Sequence, residues 1–312
     1  MSFQNVQGLL TSAILVKSLF FVPPVQAQVI DSTPSINIKS QSQFESQLLS
    51  QFVTVQAISE DGSPSLRRKP VEGENKFEPK RIPLRIPRQE YYRASPGITI
   101  INPSGYGASW GNAGIGIGFQ ERARFIDEAD GVVGFGFGLG NPTKNIGVQI
   151  GISLVDVNAP FRDGTLGIKI HRRLPEDFSI AVGTQGALTW GETDGGSSVY
   201  GVVTKRLPLR QDRTKPLSEM YLSLGMGGGQ YRSEFDIQNG VESVGVFGSF
   251  AVRVIEPVSL ITEWSGQDLT IGTSIVPFKK LPLVIVPAVT DITGSAGDGA
   301  RFVVGAGYSI SF

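Results

Sequence analysis

From about residue 106 to the end of the chain, apolar side chains alternate with small or polar ones at a period of two residues. The last eleven residues show the pattern most clearly, because Phe302, Tyr308 and Phe312 share one parity while Gly305, Gly307 and two serines take the other. Successive side chains of a β-strand point to opposite faces, so one face of this strand is apolar and the other is small and polar. We predict a closing strand over 302–312.

The same alternation recurs in five regular segments further upstream, at 113–120, 133–140, 146–154, 166–171 and 178–183. Six less regular strands are predicted near 197–206, 218–230, 241–254, 257–265, 268–276 and 281–291. Together with the closing strand these segments make about twelve, an even number as in single-chain bacterial membrane barrels.

The chemistry of the two faces indicates which one points outward. A soluble barrel is apolar inside and polar outside. Here the face opposite the apolar one is mainly Gly, Ser, Ala and Thr, which is too small and too uncharged for a soluble surface. The pattern therefore predicts an all-β fold, a transmembrane antiparallel up-and-down β-barrel. A Gly-rich solenoid or adhesin is the alternative, but no fixed repeat length is present.

The connections between the predicted strands fall into two chemical classes. Every second connection contains Pro, and most of these carry or adjoin Lys or Arg: 140–144, 174–177, 207–216, 255–257 and 277–280. Most of the others carry Asp or Glu: 121–130, 156–163, 191–197, 232–242, 265–267 and 290–298. This sorting favours an antiparallel order with the first class in the periplasm and the second outside the cell.

The N-terminal third has a different character. An apolar run over 9–22 precedes the small-residue site Val25-Gln26-Ala27, so residues 1–27 are predicted to be a signal peptide cleaved after Ala27. Lys17 inside that run leaves an uncleaved anchor as the alternative. Residues 28–105 form a periplasmic extension and linker, with a short amphipathic helix over 41–56 indicated by Phe44, Leu48 and Phe52.

The role of this extension is open. The helix is either a marginal helix in a loose tail or a plug or docking element. The linker part, 58–98, is broken by six prolines and carries interleaved basic residues. A basic stretch can bind anionic lipid or polysaccharide, although a solvated linker is the simpler interpretation. The barrel domain then occupies 106–312.

Composition excludes several classes of chemistry. The 312 residues include 39 Gly, one His and no Cys, and the 28 basic residues balance the 28 acidic ones. Disulfides, thiol catalysis and multi-histidine metal sites are excluded, and zero net charge argues against a nucleic-acid partner. The glycines at 134, 136 and 138 precede Leu139 and do not complete a G-x-G-x-x-G motif. We predict no cofactor and no metal site.

Polar residues on the small face are the candidates for function. Gln149, Lys169, Gln185, Arg253 and Glu263 are predicted to line the lumen. A barrel of twelve strands lies between the filled eight-stranded and the open sixteen-stranded size, so side-chain volume decides whether it conducts. We predict a passive narrow pore for small solutes. A closed structural or surface-interaction barrel is the alternative, since small residues also accommodate large rings or a plug.

The sequence gives less support to two further functions, lipid hydrolysis and divalent-cation binding. An outer-membrane lipid hydrolase needs a histidine beside its nucleophile on the lipid-facing side, whereas His171 has the opposite parity to Ile168 and Ile170. The chain is therefore not predicted to be an enzyme. Acidic loop residues are more simply solvated charge than ligands for divalent cations. They are Asp127, Glu128, Asp130, Glu192 and Asp194.

The closing strand, with Tyr308, Ile310 and the terminal Phe312, resembles the C-terminal β-signal of bacterial outer-membrane β-barrel proteins. The segment 98–111 is similar to uncharacterised barrel proteins of cyanobacteria. The resemblance implies a porin-like location in the bacterial outer membrane, with outer-membrane lipid as a partner and the barrel-assembly machinery as a partner during biogenesis. It implies no particular solute, and it leaves the oligomeric state open.

Overall fold

The computed structural model describes residues 95–122, 129–154, 162–191, 196–297 and 299–312. The predicted signal peptide, the helix over 41–56 and most of the extension lie outside these residues. So do the acidic candidates Asp127, Glu128, Glu192 and Asp194.

The described residues form twelve β-strands that close into one antiparallel barrel, as the alternating pattern predicts. The strands are β1 Asn112–Gln120, β2 Asp130–Gly140, β3 Gly147–Leu154, β4 Gly164–Arg173, β5 Phe178–Trp190, β6 Ser198–Pro208, β7 Glu219–Gly227, β8 Gly245–Ile255, β9 Val258–Trp264, β10 Leu269–Ile275, β11 Leu283–Thr290 and β12 Arg301–Ser311. Each strand pairs with its neighbours in sequence. The barrel closes where β1 pairs with β12, from Asn112 opposite Ser311 to Gln120 opposite Val303.

The apolar parity faces outward. Ile115, Ile117 and Phe119 of β1 are exposed, whereas the intervening Gly116 is buried inside. Ile115 lies opposite Tyr308 of β12, so aromatic and β-branched neighbours stabilise the outer surface across the closure. An apolar outside is the arrangement of a transmembrane barrel and the reverse of a soluble one.

The connections emerge at two ends of the barrel. The end that carries Phe312, here called the turn side, has the shorter connections 141–146, 174–177, 209–218, 256–257 and 276–282. The other end, here called the loop side, has the connections 121–129, 155–163, 191–197, 228–244, 265–268 and 291–300. The two chemical classes of connection therefore lie at opposite ends.

Several strand boundaries differ from the predicted ones by three residues or more. β5 continues to Trp190, beyond the predicted end at 183, and its register with β4 shifts between Leu166 and Ile168. β7 ends at Gly227 and β8 begins at Gly245, because a 3-10 turn and a short helix, α1 (Glu234–Gln238), lie between them. Ser233 caps α1 by accepting the Asp236 backbone N–H, a local signal that the period-two pattern does not register.

No helix within the described residues has both the length and the apolar character needed to cross a bilayer.

Candidate functional site

Residues 95–111, here called the lumen segment, lie inside the barrel and occupy part of its lumen. The segment enters from the turn side, where Arg253 of β8 donates to the Ser95 hydroxyl. It reaches the loop-side half at Asn102, whose side-chain amide donates to the carbonyls of Gly248 at 3.0 Å and Trp264 at 2.9 Å. It then returns to the turn side, where β1 begins. The segment is therefore a reversed loop with an incoming arm (95–102) and a returning arm (103–111).

Glu263 of β9 holds the tip of the incoming arm. Its carboxylate accepts the backbone N–H groups of Ile100 at 2.7 Å, Ile101 at 2.8 Å and Asn102 at 3.1 Å. The Ser249 hydroxyl donates to the same carboxylate at 3.0 Å. Glu263 is only 2% exposed, and a buried carboxylate is tolerated only when donors of this kind surround it.

The returning arm is held by single contacts from several strands. The Gly105 N–H donates to Thr204 Oγ1 at 2.8 Å, and the Ser179 hydroxyl donates to the Gly105 carbonyl at 2.6 Å. The Lys169 ammonium donates to the Tyr106 carbonyl at 2.7 Å. Two further contacts reach Ala108: its N–H donates to Gln149 Oε1 at 2.9 Å, and His171 Nε2 lies 3.0 Å from its carbonyl oxygen.

The five residues predicted from sequence to line the lumen all lie on the inward face. Gln149, Lys169, Arg253 and Glu263 are buried, and each bonds to the lumen segment. Gln185 is half-buried and accepts from the Tyr231 hydroxyl at 3.0 Å, so it contacts the 228–244 connection instead. Their role in lining a conducting path stays a prediction.

Glycines on both partners permit this close fit. A Cβ at Gly138 of β2 would lie 2.3 Å from the carbonyl carbon of Ala108. A Cβ at Gly107 would lie 2.5 Å from the His171 ring, and one at Gly105 would lie 2.2 Å from the Ser179 carbonyl oxygen. Real Cβ atoms essentially never come this close to other atoms, so these positions require glycine. Part of the small inward face is therefore needed to accommodate the lumen segment.

An ion-pair cluster lies where the lumen segment enters. Glu219, the first residue of β7, pairs with Arg253 at 2.9 Å and is 3.8 Å from Arg206 and 3.9 Å from Arg213. Arg206 also pairs with Asp177 at 2.8 Å. Sequence analysis missed Glu219 and Arg206. Glu219 has the inward parity of β7, which was the one available signal.

Three aromatic rings pack together in the loop-side half of the lumen. Tyr231 from the 228–244 connection is 2% exposed and packs on Phe247 and Tyr200, with ring centroids 4.4 Å and 5.9 Å away. A cavity of about 10 Å³ lies beside it, lined by Ile101, Asn102, Gln230, Tyr231, Ser265, Gln267 and Asp268. That space holds about one water molecule and is too small for a solute.

The lone histidine and the acidic side chains of the inward face are placed as follows. His171, the single histidine of the chain, is 2% exposed on the inward face and contacts the lumen segment, so it does not face lipid. The described residues contain no group of three or more His, Asp or Glu side chains arranged to hold a metal ion.

Comparisons with known proteins add little to this geometry. No family model and no curated protein matches the sequence. The chain is similar to the crystal structure of the outer membrane protein Omp33 from Acinetobacter baumannii, at 10% sequence identity and a TM-score of 0.34, over 64% of this chain and 97% of that chain. A likeness this remote carries no argument about activity, and the assignment of the barrel rests on the strand pairing described above.

Proposed function

We propose that this protein is a bacterial outer-membrane barrel that does not conduct in its resting state, because the lumen segment closes it. The proposal rests on how that segment is bound: the buried Glu263 carboxylate accepts three consecutive backbone N–H groups from it. The passive open pore favoured by the sequence stays a prediction. The packing supports the closed barrel as the resting form.

The membrane location is supported by the outer surface. Ile117, Val182 and Leu224 are each more than half exposed, although they lie in the middle of strands. Trp110 and Phe312 pack edge to face at the turn side, 6.2 Å between centroids, as in the aromatic girdle that marks a membrane interface. We place the turn side, and with it the N-terminal extension, in the periplasm.

The hydrogen bonds that hold the lumen segment determine how rarely it leaves the lumen. Hydrogen bonds to charged groups contribute about 1.5–3 kcal/mol each. The bonds to Glu263 and the bond from Lys169 are of this kind. If displacing the segment costs a net two of these bonds, the open form makes up less than about 1% of the molecules. Small solutes would therefore cross only after a partner or a force displaces the segment.

A planar-bilayer recording tests this proposal with a matched pair of glycines in the segment. An alanine at Gly105 would place Cβ 2.2 Å from a backbone oxygen, whereas a Cβ at Gly97 would come no closer than 3.2 Å to any atom, the nearest being the Ser274 hydroxyl oxygen. We expect the full-length protein and Gly97→Ala to be silent and Gly105→Ala to show unitary steps.

Sustained unitary steps in the unmodified protein would contradict the closed resting state and restore the passive pore. Silence of a correctly folded Gly105→Ala barrel would instead assign the protein to the permanently closed structural class.

A further inference from the structure

The two ends of the barrel differ in charge. The turn-side rim, here residues 141–146, 172–178, 205–219, 253–257 and 276–282, contains eleven Lys or Arg and five Asp or Glu. The basic residues are Lys144, Arg172, Arg173, Lys205, Arg206, Arg210, Arg213, Lys215, Arg253, Lys279 and Lys280. The acidic ones are Glu176, Asp177, Asp212, Glu219 and Glu256. At the loop side, the charged residues described outside the strands are seven Asp or Glu and three Arg.

The ion pairs inside the barrel mouth neutralise only part of this excess of positive charge. Arg206, Arg213 and Arg253 pair with Glu219 and Asp177 at the mouth of the lumen. Six other cations are exposed, and none forms an ion pair with a carboxylate of the described residues: Lys144, Arg172, Arg210, Lys215, Lys279 and Lys280. Within the part of the chain that the structure describes, no ion pair neutralises their charge.

Exposed apolar side chains are interleaved with these cations. Leu209 and Leu217 flank the turn that carries Arg210 and Lys215, and both are about half exposed. The turn with Lys279 and Lys280 is bracketed in the same way. Its apolar residues are Phe278 and Leu281. The two other rim segments with an exposed cation, 141–146 and 172–178, contain the exposed Ile146 and Phe178.

This mixture indicates the kind of partner. A soluble polyanion would be recognised by cations alone, and large apolar side chains among them would be a liability. At a membrane interface the apolar residues enter the acyl region while the long basic side chains reach the headgroups. The Phe178 ring centroid lies 4.0 Å from the Lys205 ammonium, so an apolar ring and a cation lie side by side at this point of the rim.

We propose that the turn-side rim binds anionic phospholipid headgroups of the adjoining leaflet. This inference rests on the membrane location proposed above. Each Lys or Arg near an anionic surface contributes about fivefold in affinity at low salt, and the contribution falls as salt screens it. Four of the five rim segments carry both an exposed cation and an exposed apolar side chain, so the lipids would form a ring around this end of the barrel.

The test uses full-length protein inserted into vesicles of equal phosphatidylglycerol and phosphatidylcholine. After gentle detergent extraction, mass spectrometry gives the ratio of the two lipids that co-purify. We expect phosphatidylglycerol to be enriched about fivefold or more, on the strength of the surface-charge effect. The variant R210Q/K215Q/K279Q/K280Q should lose most of that enrichment, whereas R210K/K215R/K279R/K280R should retain it.

The outcomes separate this inference from the membrane location. Protein that integrates into vesicles but shows no enrichment, or equal enrichment in the glutamine variant, overturns the headgroup assignment alone. Protein that alkali extracts from every vesicle contradicts the location itself. If the glutamine variant loses binding to soluble polyphosphate without any change in the lipid ratio, the rim belongs to a soluble polyanion and the inference is wrong.

Discussion

The two arms of the lumen segment are anchored in opposite ways. The incoming arm ends on one side chain, Glu263, which accepts three N–H groups at once. The returning arm is held by single bonds from side chains on several strands, among them Thr204 and Lys169. A concentrated anchor is lost with one substitution, whereas a distributed one weakens step by step. The backbone at 100–102 is therefore where one substitution weakens the closed state most, although the Asn102 side chain keeps its own bonds to the Gly248 and Trp264 carbonyls.

The largest effect is expected from Glu263→Ala. Each buried N–H left without an acceptor costs about 1–3 kcal/mol, so the free energy of unfolding should fall by about 3 kcal/mol or more. Urea unfolding of the refolded barrel measures this loss, and hydrogen exchange at Ile100 and Ile101 should accelerate. Glu242→Ala is the control, because Glu242 is 90% exposed and its ion pair with Arg232 contributes little. Equal losses in the two variants would remove Glu263 as an anchor.

The next effect concerns the room that the wall leaves for the returning arm. Gly138→Ala would bring a methyl group to 2.3 Å from the Ala108 carbonyl carbon and should cost about 1–3 kcal/mol through overpacking. Gly201→Ala is the matched control, since its nearest neighbour lies at 4.0 Å. Thermal unfolding in detergent compares the two. A Gly138→Ala barrel as stable as the control would show that the arm does not pack against β2.

A single anchor of the returning arm should matter less. Thr204→Val preserves the shape of the side chain but removes the acceptor of the Gly105 N–H and the partner of the Ser223 hydroxyl. We expect a cost of about 1–3 kcal/mol, below the cost of three lost N–H acceptors at Glu263. Thr262→Val on the opposite parity of β9 should be close to neutral. If Thr204→Val were as damaging as Glu263→Ala in the same urea titration, the contrast between the two arms would fail.

The smallest effect lies outside the lumen, in α1. The Ser243 hydroxyl donates to Asp236, and this bond, with a further one from Ser233, lowers the pKa of Asp236 below its usual 3.8. A depressed pKa contributes stability at higher pH that is lost as the pH falls through the acidic range. NMR should therefore show 233–243 loosening below about pH 4, near the ordinary aspartate pKa, with the strands unchanged. Asp236→Asn should abolish that pH dependence.

The wall of the barrel was largely predictable from particular residues. The alternation at 113–120 predicted β1 and placed Ile117 on its outer face. The alternation along β9 placed Glu263 on the inward face. These predictions succeed because a strand's side chains alternate whatever the strand contacts. The boundaries of β5 and β7 were less accurate. There, a register shift against β4 and the Ser233 cap of α1 override the alternation.

The lumen segment was the part that local pattern could not predict. Residues 95–111 contain Pro and several Gly and have no sustained period, so the sequence leaves open whether they lie in a linker or a plug. Their partners are distant along the chain: Ile100 and Glu263 are 163 positions apart. Parity indicated that Glu263 faces inward, but it carried no information about what Glu263 would meet there.

The sequence by itself therefore determined a twelve-stranded wall and the direction in which each of its faces points. Those properties follow from the period-two geometry of a strand and from the preference of apolar side chains for lipid. Only the tertiary structure decided what occupies the lumen, because that depends on which backbone donors meet Glu263, Lys169 and the inward glycines once the barrel has closed. The difference between an open pore and a barrel closed at rest belongs to this second class of property.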